Sequence, residues 1–261
     1  MSHSPTAQQR ARTFTDNVRG GATMIGTFVS TGSALITEIC AMAGFDWLLV
    51  DLEHGSGTEA DLIGQLHAAG SHAIPVVVRP ETAERIRGGR ALDLGADGIM
   101  LPRIDSEEQA RAAVSNLLYP PAGRRGVASY NRARSFGTDT RSAADVDDCT
   151  LTVVQIESIE SLAEVDAIAA LPGVDALFVG PGDLTTALGV PGQVDSPIYT
   201  AALAATVNAA RTHGIAAGIL ASSPDAAQRY IDDGFTLVAV GSDATLLLGA
   251  GRAIATSIPR R

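Results

Sequence analysis

Eight short apolar runs punctuate the chain, and each is followed by a longer segment in which apolar residues recur at helical spacing. The runs are Met24–Val29, Trp47–Leu52, Ile74–Arg79, Gly98–Leu101, Thr152–Ile156, Ala176–Val179, Ile215–Ile219 and Leu237–Val240. Their nearly continuous Val, Ile and Leu is the pattern of strands covered on both faces. The intervening segments predict amphipathic helices over Ser33–Met42, Thr58–Ala69, Ala83–Leu94, Glu107–Leu118, Ile159–Ala169, Tyr199–Thr212, Pro224–Asp232 and Asp243–Ser257. Thr58 and Asp61 approximate a capping box, and glycines at 44, 70, 95, 214 and 234 stand where helices end. Eight strand–helix units in 261 residues predict an α/β fold, a (β/α)8 TIM barrel. An open doubly wound sheet is the competitor, but the chain lacks its nucleotide fingerprint. The expected organisation is a single barrel domain over 1–261, with 1–20 as a polar N-terminal extension or capping segment.

A barrel of this kind carries its chemistry where the strands end. Those positions hold Asp51, Glu53 and His54 after the second run, Arg79 after the third, Gln155 and Glu157 around the end of the fifth, Gly180-Pro181-Gly182-Asp183 after the sixth, and Leu220 after the seventh. Each has a plainer structural reading, such as turn hydrogen bonds for Asp51 or an N-cap for Leu184–Leu188 at Asp183. Asp93, near the C-terminal end of the third helix, opposes the helix dipole and needs a compensating partner. Together the strand-end residues are chemically coherent. Carboxylates with open positions suit Mg²⁺, Mn²⁺ or Co²⁺, which could chelate a 2-oxo acid and act as Lewis acid when an enolate forms. Histidine is the side chain whose ordinary pKa lies near neutrality, which makes His54 the natural base. Arg79 could brace an enolate oxygen, and the Gly180–Asp183 turn offers backbone N–H groups to a carboxylate.

Composition narrows the chemistry further. All 19 basic residues are Arg, so lysine imine mechanisms and a Walker-type phosphate loop are excluded. The net charge of −10 argues against nucleic acid or an anionic membrane as a partner. No apolar stretch reaches the length of a membrane span, and no secretory h-region is visible near the N-terminus. Cys40 and Cys149 lack metal-type spacing and suit a cytoplasmic location. Tyr119–Asp148, with arginines 124, 125, 132, 134 and 141, is a connection too long to be incidental.

The stretches "FDWLLVDLEHG", "LDLGADGIMLPRI", "YPPAGRRG" with a later "RA", "VVQIES" and "GVDALFVGPGDL" together resemble the HpcH/HpaI aldolase and citrate lyase family, the metal-dependent class II pyruvate aldolases. The resemblance extends from about residue 24 to 245. It implies His54 as proton acceptor, Asp93 as the acid that raises its basicity, and Arg79 as transition-state stabiliser. It also implies Gln155, Gly182 and Asp183 as substrate contacts, Glu157 and Asp183 as metal ligands, and Leu220 as an apolar residue facing the aldehyde. The activity so implied is reversible cleavage of a 4-hydroxy-2-oxo acid to pyruvate, or an analogue such as hydroxypyruvate, and an aldehyde. A CoA-thioester lyase of the malyl- or citramalyl-CoA type is the alternative within the superfamily, and a silent scaffold barrel the alternative outside enzymes. The resemblance further implies a homo-oligomer, a hexamer built as a trimer of dimers, with the eighth helix exchanged between neighbours. Gly88-Gly89 inside the third helix disfavours helix and could displace Asp93.

Overall fold

The inner and outer walls of the molecule are set by alternation along its strands. In a computed structural model, which describes residues 6–259, eight parallel strands close in sequence order. They are β1 Met24–Val29, β2 Trp47–Asp51, β3 Val76–Arg79, β4 Gly98–Leu101, β5 Leu151–Ile156, β6 Ala176–Val179, β7 Ala216–Ala221 and β8 Leu237–Ser242. Phe28, Leu49, Val77, Met100, Val153, Phe178 and Ala239 pack into one buried cluster inside the barrel. Their strand neighbours, among them Val29, Val50, Val78, Leu101, Val154 and Val179, face the helices in a second. Burial on both sides is why the strands read as unbroken apolar runs. The TIM barrel is therefore as expected.

The helices are α1 Ala7–Arg19, α2 Ala34–Met42, α3 Glu59–Ser71, α4 Arg85–Asp93, α5 Glu107–Leu117, α6 Ala143–Asp147, α7 Ile159–Ala163, α8 Val165–Ala169, α9 Pro181–Ala187, α10 Pro197–His213, α11 Pro224–Asp232 and α12 Asp243–Ser257. Asp61 accepts from both the N–H and the hydroxyl of Thr58, so the cap of α3 forms as predicted. That helix runs through Gly70, and the left-handed position falls instead at Ala73 (φ 56°). The single helix predicted over Ile159–Ala169 is two, because Glu164 leaves helical geometry (φ −107°, ψ 13°). Gly88 is required by packing: a Cβ there would stand 2.6 Å from Leu117 Cδ2, so α4 meets α5 at this residue.

No helix is predicted before Met24, yet α1 forms there, capped by Thr6 and Gln9. It buries Phe14 and Val18, and Phe14 lies 6.4 Å from the Trp47 ring at the N-terminal end of the barrel. Two ion pairs to buried aspartates fasten it, beside two more to the exposed Asp148. Arg10 reaches Asp97 at 2.8 Å, and Arg19 reaches Asp175 at 2.7 Å. Each aspartate also accepts from a strand N–H, Asp97 from Val76 and Asp175 from Thr152. The first five residues of the predicted extension, and the last two of the chain, lie outside the described residues.

Two regions depart from the barrel. The connection from α5 to β5 lies at the N-terminal end of the strands, because α5 has already run back antiparallel to them. There Arg132 donates to the Leu94 carbonyl at 2.7 Å and Arg141 pairs with Asp139 at 2.9 Å. At the other end α12 has Asp243 as its one buried residue, leaving Leu246, Leu247, Leu248 and Ile254 exposed. Leu35, Ile39 and Met42 of α2 are exposed as well. Among the described residues no helix is long and apolar enough to cross a membrane.

Asp243 seals the join between β8 and β1. Its carboxylate accepts from the N–H and hydroxyl of Ser30 and from the N–H and hydroxyl of Thr31, at 2.6–3.1 Å. Burial pushes its pKa up, but the donors of Thr31 and Ser30 outweigh that and hold it below the ordinary aspartate value. A lowered native pKa gives stability that is complete above the unfolded pKa and is lost as pH falls through the native one. Asp243→Asn should therefore cost about 1–3 kcal/mol at neutral pH and abolish that acid-side slope, as read by urea denaturation at stepped pH.

Candidate active site

Strand parity turns a row of charged side chains inward at the C-terminal mouth. Asp51 and Arg79 end β2 and β3 and are register partners. Arg79 donates from Nε to Asp51 Oδ1 at 2.9 Å and from Nη2 to Oδ2 at 2.7 Å. Both side chains are buried, and the guanidinium carbon lies 5.4 Å from the centroid of the Phe28 ring. Burial disfavours the Arg79 charge, but Asp51 outweighs it and holds the pKa above its ordinary value. Asp51 also shapes the next turn, since Oδ1 accepts from the N–H of Glu53 at 3.1 Å and of His54 at 3.3 Å. The imidazole of His54 then sits on the rim, 65% exposed, with Nε2 3.8 Å from Glu53 Oε2. Glu53 Oε2 in turn lies 3.2 Å from Arg79 Nη1.

On β5 the same alternation turns Val153, Gln155 and Glu157 inward. Glu157 is 3% exposed. Its Oε1 accepts from the Arg103 N–H at 2.8 Å and its Oε2 from Gln155 Nε2 at 2.9 Å. Asp183 and Gly182 are exposed in the first turn of α9. That helix starts at Pro181 with Gly180 as its N-cap, so Asp183 does not cap Leu184–Leu188. Its carboxylate is free to face the mouth. Leu220 packs against the interior cluster.

Glu53, Glu157 and Asp183 share one electrostatic neighbourhood. Burial pushes Glu157 above the ordinary carboxylate pKa; the Arg103 amide opposes this, and Glu53 and Asp183 reinforce it. Burial likewise pushes Glu53 up, against the pull of Arg79 and His54. Asp51 already neutralises Arg79, so three further carboxylates crowd the mouth without an equal number of cations. Glu53 Oε2 and Gln155 Oε1 are buried with no hydrogen-bond partner. Such a surplus of hard oxygen donors fits a divalent cation of the Mg²⁺ or Mn²⁺ type, with Glu157 and Asp183 as the groups able to hold it. Among the described residues no three His, Cys, Asp or Glu side chains form a ready cage.

Asp93 is not part of this cluster within the chain. It ends α4, which has run from the mouth back to the N-terminal end of the barrel, and it pairs there with Arg125 at 2.9 Å. The acid nearest His54 is Glu53. The arginine-rich connection lies at the same far end, where Arg134 and Arg141 pair within it and Arg124, Arg125 and Arg132 tie it to α5, Asp93 and Leu94. Two contributors carry signals that the sequence reading passed over. Glu53 is visible as an acid adjoining His54, and the Asp51–Arg79 clamp follows from both residues ending inward-facing strand positions. Arg103 carries no signal, because its backbone N–H does the binding.

The model of the family described as HpcH/HpaI aldolase/citrate lyase matches residues 24–250. The chain belongs to that family. It is 39% identical over 234 residues to 2-keto-3-deoxy-L-rhamnonate aldolase of Escherichia coli (strain K12), covering 89% of this chain and 88% of that one. An HpcH/HpaI aldolase/citrate lyase family protein from Burkholderia cenocepacia J2315 superposes with a TM-score of 0.90 at 36% identity, over 94% of this chain and 98% of the other. The HpcH/HpaI aldolase from Desulfitobacterium hafniense DCB-2 superposes with a TM-score of 0.84 at 27% identity, over 94% and 96% of the two chains.

In this HpcH/HpaI family member the Asp51–Arg79 pair is integral to the mouth, and removing one partner strands a buried charge. Asp51→Ala should cost roughly 3–5 kcal/mol in urea denaturation, and Asp51→Leu combined with Arg79→Met should recover most of it. A loss under about 1 kcal/mol would mark the pair as a rim contact instead.

Proposed function

We propose that the protein is a divalent-metal-dependent aldolase, reversibly cleaving a 4-hydroxy-2-oxo acid to pyruvate, or a close analogue such as hydroxypyruvate, and an aldehyde. The observation that carries this reading is the surplus of carboxylates around one neutralised arginine, with an exposed histidine 3.8 Å from one of them. Glu157 and Asp183 would hold Mg²⁺, Mn²⁺ or Co²⁺, and the cation would supply a Lewis acid for the oxo and carboxylate oxygens of the 2-oxo acid.

The chain's own residues then divide the work. In cleavage His54 takes the proton of the C4 hydroxyl, the C3–C4 electron pair passes into the enolate of the 2-oxo acid, the aldehyde departs, and the proton returns from His54 to C3 to complete the methyl group. In the reverse direction His54 takes a proton from the methyl carbon. Its exposure at the rim leaves it open to substrate, while Asp51 fixes its backbone. Arg79, with Nε and Nη2 held by Asp51, has Nη1 3.2 Å from Glu53 Oε2 on its remaining edge, and from there it would steady negative charge on the enolate oxygen. Gln155 and the first turn of α9, Gly182 and Asp183, border the 2-oxo acid, and Leu220 borders the aldehyde. Glu53 is the acid nearest the imidazole in this chain, 3.8 Å from Nε2.

Deuterium exchange into the methyl group of pyruvate isolates the proton transfer. EDTA should abolish the exchange and Mn²⁺ restore it. His54→Ala should slow it roughly 10²–10⁴-fold with Mn²⁺ binding kept. Exchange at the wild-type rate in His54→Ala, or in metal-free enzyme, would sink the assignment.

We also propose that the exposed apolar faces of α12 and α2 are covered by further copies of the chain, in a hexamer. The full chain should sediment as an oligomer at micromolar concentration, and deletion of residues 243–261 should disperse or aggregate it. A stable, well-behaved full-length monomer would contradict this.

A further inference from the structure

Glu157 is held on three sides, and none of the three is a charged side chain. The Arg103 N–H donates to Oε1 at 2.8 Å and Gln155 Nε2 donates to Oε2 at 2.9 Å. The third side is Gly180, where a Cβ would stand 3.1 Å from Oε2 and 3.4 Å from Gln155 Nε2. Gly180 has φ −92° and ψ 98°, a conformation open to any residue. Its backbone does not need glycine; the space beside the carboxylate does.

Arg103 presents the opposite case. Its φ of 53° is left-handed, which a residue with a Cβ adopts only when the surroundings force it. They do so here. Pro102 and Ile104 are buried on either side, Ser158 Oγ donates to Asp105 Oδ1 at 2.7 Å, and the Asp105 N–H donates to Gln109 Oε1 at 3.0 Å. The Arg103 side chain is exposed, so what the strained turn delivers to Glu157 is the amide.

We propose that Arg103 and Gly180 are positioning residues for Glu157: the left-handed amide and the bare Cα together fix the rotation of its carboxylate. Each oxygen accepts one hydrogen bond and keeps a lone pair free for the cation shared with Asp183. A ligand ordered before the cation arrives loses less freedom on binding it. This rests on the reading of Glu157 as a metal ligand.

The test is Mn²⁺ titrated into metal-stripped, substrate-free protein, followed by electron paramagnetic resonance, with Tm measured alongside. Gly180→Ala should weaken Mn²⁺ binding roughly 10–100-fold, the usual worth of a group that orients a metal ligand, with Tm nearly unchanged. Arg103→Pro, which removes the N–H, should weaken it comparably. Arg103→Gly keeps the amide and relieves the strain, so it should hold wild-type affinity and melt higher. Should Arg103→Pro fail to fold, Ser158→Ala cuts the tie to Asp105 and should weaken binding several-fold. Wild-type affinity in Gly180→Ala and in the Arg103→Pro or Ser158→Ala variant would overturn the proposal. Affinity in Arg103→Gly as poor as in Arg103→Pro would overturn the role of the amide. A wild-type protein that binds no Mn²⁺ would instead overturn the metal-ligand reading beneath it.

Discussion

The two-point pair between Asp51 and Arg79 decides what the barrel mouth can do. Two opposite charges buried side by side at the ends of adjacent strands offset one another's desolvation through two parallel hydrogen bonds. The arginine already paired to Asp51 is shared with Glu53, and among the described residues no salt bridge reaches Glu157 or Asp183. Burial raises the pKa of Glu53 and Glu157, which measures how costly that surplus is. In the proposed function a divalent cation would remove that cost on binding.

The fold supplies this arrangement cheaply. Period-two alternation sends Leu49 and Asp51, Val77 and Arg79, and Val153, Gln155 and Glu157 to the same interior, apolar below and polar above. The lower layers are closed by Phe14 and Trp47, and α1 is fastened by Asp97 and Asp175, which also hold strand N–H groups. The rigid end and the reactive end of the barrel are thus built from one repeated rule. His54, on the turn after β2, and Asp183, in the first turn of α9, lie just past it, where solvent can reach them.

How much of this was legible follows from which interactions are local. The strands were, because burial on both faces writes itself as continuous Val, Ile and Leu, and so was the gathering of Asp51, Arg79, Gln155 and Glu157 at one end. The helix over residues 7–19 was not, because its apolar positions are few and its stability comes from Trp47, Asp97 and Asp175 far along the chain. The resemblance implies Asp93 as the acid that raises the basicity of His54, while within one chain the direction of α4 carries it to the other end of the barrel, against Arg125. The hold on Glu157 by Arg103 was invisible, since nothing about an arginine foretells a left-handed backbone.

In the proposed function the carboxylate surplus at the mouth holds a cation in contact with a 2-oxo acid. A crystal structure of the protein with Mn²⁺ and pyruvate, using the anomalous signal of manganese, tests it directly. The expected result is one strong anomalous peak within bonding distance of both Glu157 and Asp183, with pyruvate beside Arg79 and within reach of His54. A peak elsewhere, or pyruvate bound at the mouth with no metal between those two carboxylates, would contradict it.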